Sequence, residues 1–67
     1  MKNRLKEFRF VNHNMTQKDL ARMAGVSRQT VIAIEKGKFN PSVKLALKLA
    51  NIFQCTVEEL FQLEEGD

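Results

Sequence analysis

The stretch Thr16-Gln17-Lys18-Asp19-Leu20-Ala21-Arg22-Met23-Ala24-Gly25-Val26-Ser27-Arg28-Gln29-Thr30-Val31-Ile32-Ala33-Ile34-Glu35-Lys36 holds two helix starts, a helix stop and two apolar stripes in one short run. Thr16, followed by Asp19, has the S/T-x-x-D/E form in which a hydroxyl and a carboxylate satisfy opposite free amides at a helix start. Leu20, Ala21 and Ala24 then fall three and four apart, as on one buried helix face. Gly25 stands where a left-handed residue ends a helix. Ser27 can cap the next helix, Val31 and Ile34 give it an inner stripe, and Gly37 stops it. The stretch therefore predicts a helix, a three-residue turn containing Gly25, and a second helix. Ala21 is small enough to let the two helices approach, and Gly25 permits the sharp turn between them.

With Val31 and Ile34 turned inward, Arg28, Gln29, Thr30 and Ala33 are expected on the outer face of the second helix, near its N-terminus. Helix-turn-helix geometry presents such a helix to the major groove of DNA, and these side chains suit base edges. Arg can bridge guanine O6 and N7, Gln can pair with adenine N6 and N7, and Thr or Ala methyls can meet a thymine methyl.

On the N-terminal side, Asn3 can cap a first helix with Leu5 and Phe8 on one face, ended by the polar loop Asn12-His13-Asn14. Downstream, Asn40-Pro41-Ser42 reads as a turn and the start of a fourth helix. Its apolar residues Val43, Ala46, Leu47, Leu49, Ala50 and Phe53 cover more than one stripe, so it is expected to be the most enclosed helix. Thr56-Val57-Glu58-Glu59 repeats the capping-box pattern and opens a short fifth helix carrying Val57, Leu60 and Phe61. The acidic tail after Leu63 is expected to fray. No segment alternates clearly, although Phe61 and Leu63 suggest a two-residue ladder with an extended N-terminus.

Sixty-seven residues predict a single domain, residues 1–67, with one small core, which excludes two-domain enzymes. Hydrophobic residues are 43% and charged residues 28% of the chain, a balance that excludes extensive disorder. The longest apolar run is Val31 to Ile34, far short of the roughly 20 residues of a membrane span. The charged start Met1-Lys2-Asn3-Arg4 is not followed by a signal-peptide core, and a lone Cys55 can form no internal disulfide, so the expected location is the cytoplasm. Cys55 lies in an apolar context and is expected to be a small buried hydrophobe. One His and one Cys supply neither a zinc site nor a nucleophile, base and orienter in one pocket. No enzyme activity, cofactor, metal or small-molecule ligand is expected.

The overall net charge of +3 conceals a polarity. Residues 1–40 hold nine Lys or Arg against Glu7, Asp19 and Glu35, a net of +6. Residues 41–67 hold Lys44 and Lys48 against Glu58, Glu59, Glu64, Glu65 and Asp67, a net of −3. One part therefore suits a polyanion and the other suits protein or solvent.

Four blocks carry a resemblance: Met15-Thr16-Gln17-Lys18-Asp19-Leu20-Ala21, Gly25-Val26-Ser27-Arg28-Gln29-Thr30-Val31, Ile34-Glu35-Lys36-Gly37-Lys38-Phe39-Asn40-Pro41-Ser42 and Leu45-Ala46-Leu47-Lys48-Leu49-Ala50. Together they resemble the Cro and phage-repressor type of helix-turn-helix regulator, the XRE family, over nearly the whole chain. The resemblance implies an all-α, compact five-helix lambda-repressor-like DNA-binding domain that acts as a homodimer on a palindromic operator in double-stranded DNA. It also implies that Arg28 and Gln29 read bases, with Thr30 and Ala33 secondary. Gln17, Lys38 and Asn40 would hold the DNA backbone, and Ser27, first a cap, would reach a phosphate as well. Glu35 would be met by an arginine from the first helix, for which Arg9 is the candidate.

Three departures from the family pattern stand out. The chain is one residue longer between Arg9 and Gln17, Phe39 stands where tyrosine is common and is expected to pack, and Ile32 is apolar where the family tends to be polar. The expected function is sequence-specific regulation of transcription, as a repressor. The rival is an antitoxin or adaptor that uses the same fold to bind protein. With the helix-turn-helix at about residues 16–36, residues 42–67 are expected to serve as scaffold and dimer surface. Ile52, Leu60, Phe61 and Leu63 are the interface candidates, because so short a chain is not expected to bury them all.

Overall fold

The computed structural model describes residues 1–67. In chain order the elements are β1 (Lys2–Asn3), α1 (Leu5–Val11), α2 (Gln17–Ala24), α3 (Arg28–Glu35), α4 (Val43–Phe53), α5 (Val57–Leu60) and β2 (Phe61–Gln62). Four of the five helices start on a hydroxyl that accepts a backbone N–H from the third helical residue: Thr16, Ser27, Ser42 and Thr56. At α2 and α5 the box is reciprocal, with Asp19 and Glu59 accepting from the amides of Thr16 and Thr56. α1 begins differently. Asn3 lies one residue before the helix boundary, accepts the Leu5 amide at 3.2 Å, and donates from Nδ2 to the Ile34 carbonyl at 2.8 Å. One side chain thus ties the start of α1 to the end of α3.

The helix ends follow from backbone sterics. Gly25 closes α2 at φ 73°, and Gly37 follows α3 at φ 74°. Gln54 closes α4 at φ 53°, a left-handed end without glycine that the sequence did not flag. After α1, His13 and Asn14 both take positive φ, 60° and 53°. This is the loop where the extra residue was expected. Its amides fold back on α1, with Asn14 N donating to Phe10 O and Met15 N donating to Arg9 O at 2.9 Å.

Eleven buried apolar residues from α1 through β2 form one core, with Leu5, Leu20, Val31, Ile34, Leu49 and Leu60 fully enclosed. Each such side chain contributes about 1.5–3 kcal/mol relative to an exposed one. The stripes expected on α2 and α3 (Leu20, Ala21 and Ala24; Val31 and Ile34) are the buried residues of those helices. α4 is less enclosed than expected. Ala46, Leu49 and Ala50 face the core, while Val43 and Leu47, one turn apart, remain open.

The C-terminal segment differs in two ways from the sequence reading. First, α5 stops at Leu60, because Phe61 takes an extended conformation and pairs antiparallel with β1 in the register Lys2↔Gln62 and Asn3↔Phe61. The suggested ladder exists, but it uses Phe61 and Gln62 in place of Phe61 and Leu63. Second, the tail is held in place: the Met1 ammonium meets Glu64 Oε1 at 3.3 Å and Asp67 Oδ2 at 3.0 Å.

This ladder also corrects the expectation for two interface candidates. Leu60 is fully buried and Phe61 nearly so, because closing β2 on β1 turns both into the core of the single chain. Ile52 is half-buried and lies in a cleft with Phe8, Val11 and Phe53. Leu63 alone of the four is fully open to solvent, at 80% exposure.

Candidate nucleic-acid interface

The outer face of α3 is built by what its inner face buries. Val31 and Ile34 fix the helix against the core, Ser27 pins its first turn, and Arg28 and Gln29 are left exposed. Thr30 and Ala33 are half-buried beside them. Ser27 Oγ accepts the Thr30 amide at 3.2 Å and shares a hydrogen bond with Thr30 Oγ1 at 3.0 Å. Only one hydroxyl hydrogen of the pair is used in that contact, so the other is free for an outside acceptor. Lys38 and Asn40 are exposed on the connection between α3 and α4. Phe39, expected to pack, is 47% exposed between them.

Behind this face lies a charged anchor. Arg9 Nε donates to Glu35 Oε2 at 2.6 Å and Arg9 Nη2 to Glu35 Oε1 at 3.0 Å, a two-pronged pair. Arg9 Nη1 also donates to the Met15 carbonyl at 2.9 Å, so the folded-back loop joins α1 to the end of α3. The pair is enclosed, with side-chain exposures of 8% and 9%. Gln17 Nε2 donates to the same Glu35 Oε1 at 3.1 Å. The first residue of α2 is therefore positioned by the last residue of α3, and the second N–H of that amide remains for another acceptor. This contact was not foreseen. The sequence separates the two residues by two helix lengths, and no periodicity links them.

The titratable groups elsewhere show no chemistry of their own. Hydrogen bonding from Thr16, through its hydroxyl and then its amide, holds the Asp19 carboxyl below its ordinary value. Burial, with a smaller contribution from Glu59, pushes the thiol of Cys55 above its ordinary value, and this residue, expected to be buried, is half-buried. No group of three or more His, Cys, Asp or Glu side chains is placed to hold a metal ion. No helix is long and apolar enough to cross a membrane.

Two helices joined by a glycine turn, with the second offering arginine and glutamine outward from a capped N-terminal end, define a helix-turn-helix DNA-binding domain. The helix-turn-helix family model matches residues 5–60. The chain belongs to that family, in its Cro and phage-repressor (XRE) branch of transcriptional regulators.

It is 55% identical over 67 residues, the whole of both chains, to an uncharacterized HTH-type transcriptional regulator of Methanocaldococcus jannaschii. It is 48% identical over 65 residues, 97% of each chain, to another from Bacillus subtilis. Among solved structures, it superposes on the restriction-modification controller protein C.AhdI of Aeromonas hydrophila. There the TM-score is 0.74 and the identity 35%, over 85% of each chain. These relatives belong to a family of regulators without enzymatic activity, and the family binds double-stranded DNA.

Proposed function

We propose that this regulator is a repressor that binds a palindromic operator as a homodimer in the cytoplasm, with α3 in the major groove. The observation that carries the reading is the exposed N-terminal end of α3, where Arg28 and Gln29 project from a helix whose other face is locked into the core. Each bidentate contact to a base is worth about 1–3 kcal/mol of discrimination. Thr30 and Ala33 flank that contact, while Gln17, Ser27, Lys38 and Asn40 hold the backbone. One helix reads only a few base pairs. A two-fold pair with half-sites about 10 bp apart adds a second reading and the affinity of linked binding. A domain of this kind represses by occupying the DNA that transcription needs.

The dimer surface follows from what the single chain leaves uncovered. Val43 and Leu47 are 77% and 58% exposed, and they border an apolar recess of about 170 Å3 with Pro41, Val57 and Phe61. This face of α4 and α5, together with the exposed Leu63, is the interface in our reading. Leu60 and Phe61 support it from within the core. Equilibrium sedimentation at tens of micromolar is expected to show a dimer, and Leu47→Glu a monomer that still folds. A wild-type protein that remains monomeric there removes the dimer from the reading.

The DNA reading has its own test. Affinity for duplex DNA is expected to fall with salt, with a slope of about −0.9 per phosphate neutralised. An adaptor that binds only protein would show no such dependence.

A further inference from the structure

Side chains bond to the backbone of α3 at both of its ends. Ser27, adjacent in sequence, accepts the Thr30 amide at the N-terminal end. At the C-terminal end the bond comes from the far side of the sequence, where Asn3 Nδ2 donates to the Ile34 carbonyl at 2.8 Å. That carbonyl also accepts the Gly37 amide at 2.9 Å, so both of its lone pairs are used. The bond lands in the last turn of α3, where carbonyls have no partner further along the helix. β1 lies against the same turn: a Cβ added to Gly37 would stand 3.7 Å from the Met1 carbonyl oxygen.

Asn3 is itself held. Its Oδ1 accepts the Leu5 amide at 3.2 Å, it stands opposite Phe61 in the ladder, and Arg4 N next to it donates to Leu60 O at 2.8 Å. A side chain fixed at its base and bonded at its tip acts as a strut. Beyond the bonded carbonyl, Gly37 turns at φ 74° and the Lys38 amide donates back to the Ala33 carbonyl at 2.9 Å. The chain then runs out through Lys38, Phe39 and Asn40, all exposed.

We infer that Asn3 is a positioning residue for DNA binding: by holding the Ile34 carbonyl it sets the turn after α3, and through that turn the placement of Lys38 and Asn40. The inference rests on the DNA reading above, in which those two residues hold the DNA backbone. Arg28 and Gln29 lie at the opposite end of α3, where Ser27 fixes the first turn, so Asn3 bears on affinity and leaves sequence preference alone.

Two substitutions remove the strut and spare the start of α1. Asn3→Asp keeps an oxygen for the Leu5 amide but has no N–H to donate, and Asn3→Ser keeps a hydroxyl that is too short to reach Ile34. Urea unfolding first establishes that each variant is folded under assay conditions, and fluorescence anisotropy then follows binding to a preferred and a random duplex. Both variants are expected to bind both duplexes about 2-fold to 30-fold more weakly than the wild type, the range for a residue that acts through a network. In a Lys38→Gln, Asn40→Ala background the same substitutions are expected to have no further effect, because they act through those two residues. In the free protein, amide hydrogen exchange is expected to quicken at Gly37 and Lys38 and to stay unchanged at Leu20 and Leu49 in the core. Wild-type affinity in both Asn3 variants would overturn the inference. So would a loss that persists undiminished in the Lys38→Gln, Asn40→Ala background, as a general loss of stability or a direct contact from Asn3 would produce. A wild-type protein that binds no duplex DNA would instead defeat the underlying DNA reading.

Discussion

Glu35 shows how one side chain can serve structure and site together. It receives Arg9 through both carboxylate oxygens and Gln17 through one of them, at side-chain exposures below a tenth. Removing one partner leaves an uncompensated charge in a desolvated place, at a cost of about 3–5 kcal/mol, whereas replacing both with apolar groups can be nearly neutral. Glu35→Ala is therefore expected to lose about 3 kcal/mol or more in urea unfolding, and Arg9→Met with Glu35→Leu to regain most of it. If Glu35→Ala costs less than 1 kcal/mol, the pair is no anchor. At this scale the sequence was partly legible. The Arg9 partner came from the family resemblance, and the extra loop residue did not displace it, because the amides of Asn14 and Met15 fold back onto α1. Gln17's link to Glu35 was not legible. It depends on how three helices meet, and no local spacing encodes that.

Among the elements, the five helices were legible because their boundaries are written in local chemistry. Thr16, Ser27, Ser42 and Thr56 bond the amides that each helix start leaves free, and Gly25 and Gly37 take the left-handed angles at two ends. Thr16→Ala is expected to destabilise the fold by about 1 kcal/mol in thermal or urea unfolding. The same box gives a pH dependence. Asp19's folded pKa lies below its ordinary 3.8, so its stabilisation is complete above that value and is lost as pH falls through the lower folded one. Asp19→Asn is expected to flatten stability against pH in that acid range, and an unchanged profile would contradict the role of the box.

Gln54 is the element boundary that composition hid, since glutamine rarely marks a left-handed position. Gln54→Gly is expected to raise stability by roughly 0.5–1 kcal/mol by relieving the positive φ. The end of α5 was misplaced for a related reason. Helical periodicity continues into Phe61, but pairing with β1 takes over there, and that pairing depends on residues at the far end of the chain.

For the whole molecule, the polarity of charge and the asymmetry of exposed surface point the same way. The basic half carries the helix-turn-helix, with Arg28 and Gln29 on its outer face. The acidic half carries the apolar face of α4 and α5 that one chain leaves uncovered. The sequence revealed the polarity of charge and which side of α3 turns outward. It did not reveal that Leu60 and Phe61 are buried within the single chain, because that burial depends on the β1–β2 closure.

The central claim is that Arg28 and Gln29 at the N-terminal end of α3 read DNA sequence. Selection of bound sites from random duplex DNA, repeated with Arg28→Ala and Gln29→Ala, tests it most directly. A palindromic site is expected with the wild type, and each variant is expected to lose about 1–3 kcal/mol of discrimination at one position of each half-site. Recovery of no preferred site, or of the same site with the same discrimination by both variants, would contradict it.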